Sequence, residues 1–501
     1  MKAIMIMYDS LRRDLLSCYG GPFSTPNFTR LAEHTVQFDH NYVGSLPCMP
    51  ARRELQTGRY NFLHRSWGPM EPFDDAMPEI LKQHSIYTHI VTDHYHYIED
   101  GGATYMGRYS SWECNRGQES DAWIADLSPK KTEFAPCLLA ADKMPPFMHD
   151  MKKHAGWQNE ANRKAVQKEE DFPIHETFDE GLAFLDQNSQ FDNWFLQIET
   201  FDPHEPFFSP DRVQQKYMSP DQMASPDWPP YAKVHESEEE VHRMRLKYEA
   251  LTCYCDEQLG RVLDKMDAYN LWEDTMLIVN TDHGFFLGEH DWWGKGSMPS
   301  YEELVHTPLF IYDPRCRCAG VHRNALVQTI DLAPTLLEYF HVEIPKDMQG
   351  IPLRTTIADD RPVRQSGIFG YHSGPIGITD GRYVLLRAVA NPNTTYEYTL
   401  MPTHMKSLFT PEELKDIQLH EPFSFTKGVK VMQIEAKQQA RYAAQQPLGQ
   451  DLLFDLEKDP KQEHPLEDEK IKADLLTQLS QQMKASEAPE ELYTRYAVPE
   501  Q

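Results

Sequence analysis

The chain contains little cysteine and little positive charge. Eight cysteines in 501 residues are too few for a disulfide framework. The 49 lysines and arginines are outnumbered by 77 aspartates and glutamates, which gives a formal net charge of −28. Nucleic acids and anionic membrane surfaces both attract basic patches, so this balance argues against either partner. We interpret the excess acidity as favouring solubility.

Long hydrophobic runs are also lacking. No stretch approaches the ~18 to 20 apolar residues of a transmembrane helix. The apolar residues 1–7 are too few for the core of a signal peptide, and no small-residue cleavage site follows them. They are more typical of a buried strand. We therefore expect a cytoplasmic protein with no membrane partner.

The cysteines include two C-x-C pairs, Cys253/Cys255 and Cys316/Cys318. Structural zinc sites usually space their cysteines as C-x₂-C, so these pairs do not favour zinc.

Apolar runs alternate with helical patterns through the larger, N-terminal part of the chain. The expected strands are residues 1–7, 87–92, 193–199, 275–281 and 308–312. The expected helices are residues 26–34, 48–57, 77–84 and 240–269. Buried strands alternating with helices predict an α/β fold with a mostly parallel sheet.

Two segments depart from this alternation. Residues 115–230 are less regular and rich in Lys, Pro, Trp and Met, which predicts an insertion near the site. It is either a lid that recognises substrate or a solvated surface excursion. From residue 367 onward, short β-like runs separated by Gly and Pro predict a smaller α+β domain with an antiparallel sheet. The expected domains are therefore 1–366 and 367–501.

Acidic and histidine residues follow the ends of four predicted strands. In open α/β sheets, ligands bind beyond the carboxyl ends of the strands. A single Asp after a strand is often only a helix N-cap, but four such ends predict a metal or acid–base site. The residues concerned are Asp9, His94, His96, His204, Asp282 and His283.

A cysteine motif adds a fifth segment. Cys48-Met49-Pro50-Ala51-Arg52 is a C-x-P-x-R pattern, and Thr57-Gly58-Arg59 follows it. Further blocks recur in order along the chain: Cys18-Tyr19-Gly20, Pro203-His204-Glu205-Pro206-Phe207, Thr281-Asp282-His283-Gly284, Trp293-Gly294-Lys295-Gly296, Thr379-Asp380-Gly381-Arg382-Tyr383 and Leu453-Phe454-Asp455-Leu456. With these blocks the chain resembles the sulfatases of the alkaline-phosphatase-like superfamily. The resemblance implies a large mixed, mostly parallel sheet flanked by helices, and a sulfuric ester hydrolase.

The resemblance also implies a modified nucleophile. In that family the motif cysteine, here Cys48, is oxidised to formylglycine by a formylglycine-generating or radical maturation enzyme. The hydrated aldehyde attacks sulfur with one hydroxyl, and the other later loses its proton and expels sulfate. This is covalent catalysis, which splits one difficult step into two.

Four further roles follow from the resemblance. Arg52 is expected to hold the formylglycine hydroxyl, and Lys295 to neutralise a sulfate oxygen and the leaving oxygen. His204 is expected to act as the acid at the bridging oxygen, and His96 as the base that removes the second diol proton. Unperturbed histidine titrates near neutrality, so both tasks are feasible.

The resemblance places one divalent metal on Asp9, Asp282, His283 and the modified residue 48. The ion of the family is calcium. Here, however, Ser10 stands where many sulfatases have a second aspartate, and His283 stands where others have asparagine. Fewer carboxylates and one imidazole weaken the case for calcium and leave Mg²⁺, Mn²⁺ or Zn²⁺ open.

Substrate contacts are expected from His94 and His372. His94-x-His96 replaces a Lys-x-His pair common in the family, so position 94 carries charge only when protonated. His372 lies where the C-terminal domain is expected to reach the pocket. The expected substrate is a small sulfated saccharide or an aryl sulfate, and a homo-oligomer is left open.

Three other functions compete with this one. A phosphonate monoester or phosphodiester hydrolase of the same superfamily is the closest, because tetrahedral sulfate and phosphate transition states resemble each other. A non-catalytic binding protein is disfavoured, because the nucleophile and metal residues are all present. A plain cysteine enzyme needs a thiolate of low pKa, and thiolate attack on sulfate offers no easy release.

Overall fold

The computed structural model describes residues 1–128, 133–143, 149–296, 298–437 and 448–499. The gaps at 129–132 and 144–148 fall within the predicted insertion, and the gap at 438–447 falls within the predicted C-terminal domain.

Strands are distributed along the whole described chain. They are β1 (Lys2–Tyr8), β2 (Val36–Phe38), β3 (Asn41–Tyr42), β4 (Ser45–Leu46), β5 (Tyr87–Thr92), β6 (Ser111–Cys114), β7 (Trp194–Thr200), β8 (Thr275–Thr281), β9 (Phe286–Leu287), β10 (Trp293–Gly294), β11 (Leu309–Tyr312), β12 (Val321–Arg323), β13 (Val327–Gln328), β14 (Gly367–Tyr371), β15 (Ile376–Thr379), β16 (Tyr383–Arg387), β17 (Tyr396–Thr399), β18 (Gln418–His420), β19 (Val431–Glu435) and β20 (Leu452–Asp455).

Helices fill most of the intervals between these strands. They are α1 (Pro26–His34), α2 (Cys48–Thr57), α3 (Met77–Gln83), α4 (Ala103–Met106), α5 (His149–Arg163), α6 (Pro173–Asn188), α7 (Asp211–Gln214), α8 (Pro220–Met223), α9 (Glu238–Ala268), α10 (Glu302–Val305), α11 (Leu332–Tyr339), α12 (Arg354–Asp359), α13 (Pro411–Leu414), α14 (Glu469–Ala485) and α15 (Glu490–Tyr496).

The largest sheet has eight strands in the order β12-β2-β11-β8-β1-β7-β5-β6. Strand β1 lies between β8 and β7 and is parallel to both. Strand β5 is parallel to its neighbours β7 and β6. Strand β11 is antiparallel to β8 and β2. The predicted mixed, mostly parallel sheet is confirmed.

Both faces of this sheet are covered by helices, which explains why its central strands are mostly apolar. Successive side chains of a strand point to opposite faces. Met5 and Met7 therefore pack into the cluster formed with α3 and α11. Ile4 and Ile6 pack on the other face with α1, α6 and α9. A parallel sheet buried on both faces favours continuous apolar runs over alternating ones.

Local capping explains where two of the covering helices begin. Ser237 and Glu240 form a reciprocal capping box at the start of α9. From within α9, Asp256 accepts the backbone N–H groups of Asn27 and Phe28 in the first turn of α1. These N–H groups have no partner inside their own helix, so the carboxylate ties α1 to α9.

A second sheet links the two ends of the chain. Its order is β20-β16-β15-β14-β4, and β14, β15, β16 and β20 pair antiparallel as predicted for the C-terminal region. Strand β4 pairs parallel with β14, through Gly370↔Ser45 and Tyr371↔Leu46. The predicted domains 1–366 and 367–501 are thus joined by hydrogen bonds two residues before Cys48.

Residues 115–230 are not an insertion throughout. Strand β7 lies inside the main sheet between β1 and β5, and α6 packs against it. The apolar run of β7 requires that burial, so residues 173–200 belong to the sheet layers. The part before α6 contributes α5 to the cavity described below.

Among the ranges that the structure describes, no helix combines the length and the apolar composition needed to cross a membrane.

We expect Ile6→Ala to lower the free energy of unfolding by about 2–5 kcal/mol, because the truncation leaves a cavity beneath the central strand. Ile6 is completely buried. Urea unfolding followed by tryptophan fluorescence measures the change. Leu127→Ala is the control: its side chain is 98% exposed, so a shift within about 0.5 kcal/mol is expected. Equal shifts in the two variants would contradict the assignment of the core.

Candidate active site

Two aspartates meet where neighbouring parallel strands end. Asp9 directly follows β1 and Asp282 directly follows β8, and the register pairs Tyr8 with Thr281. The backbone N–H of Ser10 donates to Asp282 Oδ1 at 3.0 Å. The sequence-based expectation that these strand ends converge is confirmed.

Cys48 is the first residue of α2, and its side chain lies at the same point. Its Sγ lies 4.0 Å from Asp9 Oδ1 and 3.3 Å from His283 Nε2. The loop before it is shaped by Glu54, whose carboxylate accepts the backbone N–H groups of Gly44 and Ser45 at 2.9 and 2.6 Å. A side chain at position 44 would collide with that carboxylate, so the close approach needs glycine.

Asp9, Cys48, Asp282 and His283 form a buried donor set. One ligand atom from each lies within 4.8 Å of all the others. Asp9 Oδ2 is buried and accepts no hydrogen bond. His283 Nδ1 lies 2.8 Å from the carbonyl oxygen of Gly284, to which it can donate, leaving Nε2 as a ligand. Two carboxylates, one imidazole and residue 48 therefore fit a divalent cation.

Arg52 lies behind this set and is almost fully buried. Its guanidinium is 3.1 Å from Asp9 Oδ2, 2.6 Å from Asp282 Oδ2 and 2.7 Å from Glu199 Oε1. It also donates to the backbone carbonyl of Cys48 at 3.1 Å, one helical turn earlier. A single cation thus offsets three carboxylates from β7 and from the ends of β1 and β8.

The two aspartates titrate differently. Burial raises the pKa of Asp9, but Lys295, His204 and Arg52 outweigh burial and hold that pKa well below its usual range. Burial and the neighbouring charge of Asp9 raise the pKa of Asp282 to about 7. Asp9 is thus ionised, and its negative charge opposes the ionisation of Asp282, as expected for two acids that share a site.

Lys295 is the second cation of the site. Its Nζ donates to Asp9 Oδ1 at 2.9 Å and to Ser10 Oγ at 2.7 Å. The flanking Gly294 and Gly296 have φ values of +88° and +92°, and a side chain at Gly294 would strike the ring of Tyr231. Burial lowers the pKa of Lys295, but the charge of Asp9 outweighs burial and keeps the lysine protonated.

His96 and His204 both face the cavity. His96 Nδ1 is 2.7 Å from Glu99 Oε2, which orients the ring. His204 Nδ1 contacts the carbonyl oxygen of Glu205, and its ring packs against Phe201 with centroids 4.0 Å apart. Burial holds the pKa of both rings well below 6.5. A neutral His96 suits a base, whereas an acid role for His204 requires an anion nearby to raise its pKa.

The two histidines predicted to touch substrate differ in position. His94 is completely buried, with Nε2 3.5 Å from Asp9 Oδ2, and burial lowers its pKa to about 4. It is not among the residues that line the cavity. His372 does line the cavity; its Nδ1 is 2.9 Å from the carbonyl oxygen of Phe62, and its Nε2 is buried without a hydrogen-bond partner. His372 is therefore the one placed to meet a ligand.

The cavity has a volume of about 360 Å³. Cys48, His96, His204, Lys295 and His372 all line it. Sequence reasoning missed several other lining residues, among them Trp67, Glu119, Lys152, Glu205, Tyr231 and Lys406. Glu205 could have been found by its position beside His204. The others stand in segments that carry no motif or period.

Comparisons with known proteins agree with this arrangement. A family model described as Sulfatase matches residues 2–342, and one described as N-sulphoglucosamine sulphohydrolase, C-terminal, matches residues 288–427. An N-acetylglucosamine-6-O-sulfatase of Bacteroides thetaiotaomicron is 26% identical over 74% of this chain and 74% of its own. An arylsulfatase of Clostridium perfringens is 21% identical over 87% of this chain and 95% of its own.

Solved structures share the fold. A phosphonate monoester hydrolase of Agrobacterium radiobacter matches with a TM-score of 0.65 and 17% identity, over 97% of this chain and 95% of its own. A protein in complex with its substrate D-glucosamine-2-N,6-O-disulfate matches with a TM-score of 0.62 and 16% identity, over 98% of both chains. The fold is therefore alkaline-phosphatase-like, as the sequence predicts.

We expect Arg52→Gln to lower the free energy of unfolding by about 3–5 kcal/mol, since it leaves Asp282 and Glu199 buried without this cation and Asp9 with Lys295 alone. Urea unfolding in the presence of EDTA measures this. Arg30→Gln is the control, because its ion pairs with Asp264 and Asp267 at 2.7 and 2.6 Å are solvent-exposed, and a change within about 1 kcal/mol is expected. An unchanged midpoint for Arg52→Gln would contradict the structural role of this cation.

Proposed function

The chain belongs to the sulfatase family and is a sulfuric ester hydrolase, and we propose that it cleaves a small sulfated saccharide or aryl sulfate with a formylglycine made from Cys48. The observation that carries this proposal is the position of residue 48. It lies among the metal-type donors, contacts the same Asp9 Oδ1 as Lys295, and lines the same cavity as His96 and His204. An aldehyde hydrate there would supply both the attacking hydroxyl and the hydroxyl whose deprotonation releases sulfate.

A divalent cation would be held by Asp9, Asp282, His283 and the modified residue 48. Such an ion supplies Lewis-acid chemistry: it polarises sulfate oxygens and favours the ionised form of an attacking hydroxyl. Calcium is the expectation from the family. The single imidazole and the serine at position 10 keep Mg²⁺, Mn²⁺ and Zn²⁺ as candidates.

Negative charge on the transferred sulfate group can be stabilised by side chains of this protein. Lys295 is protonated, buried and adjacent to residue 48, so its ammonium can stabilise negative charge that develops on sulfate and on the leaving oxygen. Arg52 holds Asp9 and Asp282 in place, together with the backbone of residue 48. Its Nε and Nη1 donate to Glu199, Asp282 and the carbonyl of residue 48, so we propose a positioning role for it.

Protons are moved by the two histidines that line the cavity. Glu99 fixes the orientation of His96, whose neutral ring can accept the proton of the second hydroxyl. His204 is held by the carbonyl oxygen of Glu205, and a bound anionic ester would favour its protonated form. We propose that His204 then donates to the departing alcohol.

The alternative is a phosphonate monoester or phosphodiester hydrolase. It is supported by the fold shared with a phosphonate monoester hydrolase, whereas Ser10 and His283 change the charge around the metal donors without favouring either ester. Parallel assays with an aryl sulfate and an aryl phosphonate distinguish the two. Faster turnover of the phosphonate would favour the alternative.

We expect Cys48→Ala to reduce aryl sulfate turnover to the uncatalysed background while the protein remains folded, because the nucleophile is lost. Mass spectrometry of the Cys48 peptide, from protein produced together with a maturation enzyme, should show formylglycine. Cys114→Ala is the control and should keep full activity, since Cys114 ends β6 and does not line the cavity. Substantial turnover by Cys48→Ala, or an unmodified thiol in fully active protein, would refute the proposed nucleophile.

We expect EDTA to lower the Tm by about 2–3 °C if the ion is present at 100 times its Kd, since binding to the folded state then contributes about 2.7 kcal/mol. Differential scanning calorimetry with Ca²⁺, Mg²⁺, Mn²⁺ or Zn²⁺ added back measures the recovery and ranks the ions. The Tm of Asp282→Asn should change neither with EDTA nor with added ions. A Tm that responds to none of the four ions would contradict the metal site.

A further inference from the structure

Two lysines line the cavity without taking part in the metal donor set. Lys152 lies on α5, and Lys406 lies between β17 and α13. The ammonium of Lys152 is 4.6 Å from the ring centroid of Trp228 and 5.6 Å from that of Tyr231. The ammonium of Lys406 is 5.7 Å from the ring of Trp67 and 5.8 Å from that of Tyr95.

Neither ammonium has a carboxylate within 4.0 Å in the described ranges, in contrast to Lys295 of the same cavity, which pairs with Asp9 at 2.9 Å. The internal gaps 129–132, 144–148, 297 and 438–447 contain no aspartate or glutamate. Aromatic faces attract a cation only weakly compared with a hydrogen-bonded anion. Lys152 is half-buried and Lys406 is exposed at the rim, so both ammonium groups remain available to an anionic ligand.

The two acids that line the cavity each accept a hydrogen bond from a tyrosine hydroxyl. Glu119 accepts the hydroxyl of Tyr95 at 2.8 Å. Glu205 accepts the hydroxyl of Tyr231 and lies 3.3 Å from His204 Nδ1. Burial lowers the pKa of Lys152, and the more distant charges of Glu119 and Glu205 oppose that shift only in part. A half-buried cation with no close counter-ion is costly, and an anionic ligand would relieve that cost.

The size of the cavity limits where such an anion can reside. A volume of about 360 Å³ is at the low end of small-molecule sites, which span about 300–1,000 Å³. An ester held at residue 48 and an anion held at the two lysines would therefore be two groups of one small molecule.

We propose that Lys152 and Lys406 bind a second anionic group of the substrate, so that the natural substrate carries a further sulfate or a carboxylate besides the ester that is cleaved. This inference rests on the proposed function, since it concerns the substrate of the same site. It narrows the class from sulfate monoesters in general to dianionic small molecules.

Binding to the Cys48→Ala protein tests this without turnover. Isothermal titration calorimetry compares three probes: glucose 6-sulfate with one anion, glucose 2,6-disulfate with a second sulfate, and glucuronate 2-sulfate with a carboxylate. Both dianions should bind more tightly than the monosulfate. Lys152→Gln and Lys406→Gln should each raise the Kd of the more tightly bound dianion by about tenfold, as expected for a lost charge-assisted hydrogen bond. The Kd of the monosulfate should change by less than about twofold.

Lys153→Gln is the matched control. Lys153 follows Lys152 on α5, but its ammonium lies over Phe134 at 5.1 Å and it does not line the cavity. Its removal should leave all three affinities unchanged. Dianions that bind no tighter than the monosulfate, or losses equal to those in Lys153→Gln, would overturn the inference. If the mature unsubstituted protein released sulfate from none of the three sugar sulfates and from no aryl sulfate, the proposed function would be refuted and this binding result would stand.

Discussion

The buried guanidinium of Arg52 is the contact on which the site depends. It lies between Asp9, Asp282 and Glu199, which belong to or directly follow three adjacent strands, and it also holds the carbonyl of Cys48. The start of α2 is thereby fixed against the carboxyl edge of the sheet. Because the charges are out of water, the carboxylates and the guanidinium depend on each other: a displacement of α2 would leave Asp282 and Glu199 without Arg52, and Asp9 with Lys295 alone. The donor set, Lys295 and the histidines are arranged around that fixed point.

Much of this arrangement can be predicted from the sequence, for physical reasons that differ between elements. The bounds of β5, β8 and α1 agree with prediction because buried apolar runs and a proline at the first helical position are local signals. Asp9 and Asp282 were predicted to meet because neighbouring parallel strands end at one edge. The pairing of β4 with β14 has no local signal, since it joins residues far apart in the chain. The full burial of His94 against Asp9 was likewise not evident from its position after a strand.

The metal-type donors and the two further lysines of the cavity come from different kinds of element. Residue 48, Asp9 and Asp282 stand on α2 or at strand ends, where the backbone is held by the sheet. Lys152 and Lys406 come from a helix outside the sheet layers and from a loop. Sites on rigid elements hold geometry best, whereas loop segments tolerate change. Substrate choice can therefore vary in this architecture without disturbing the donor set.

The burial of Cys48 has a consequence for the order of events during synthesis. Its side chain is 1% exposed, and the strand just before it pairs with β14, whose residues leave the ribosome roughly 320 residues later. At about 5–20 residues per second, the thiol stays reachable for about 15–65 s before that pairing can form. On the proposed chemistry, the oxidation of Cys48 competes kinetically with the completion of the chain. A molecule that folds before this oxidation retains its thiol in a closed interior.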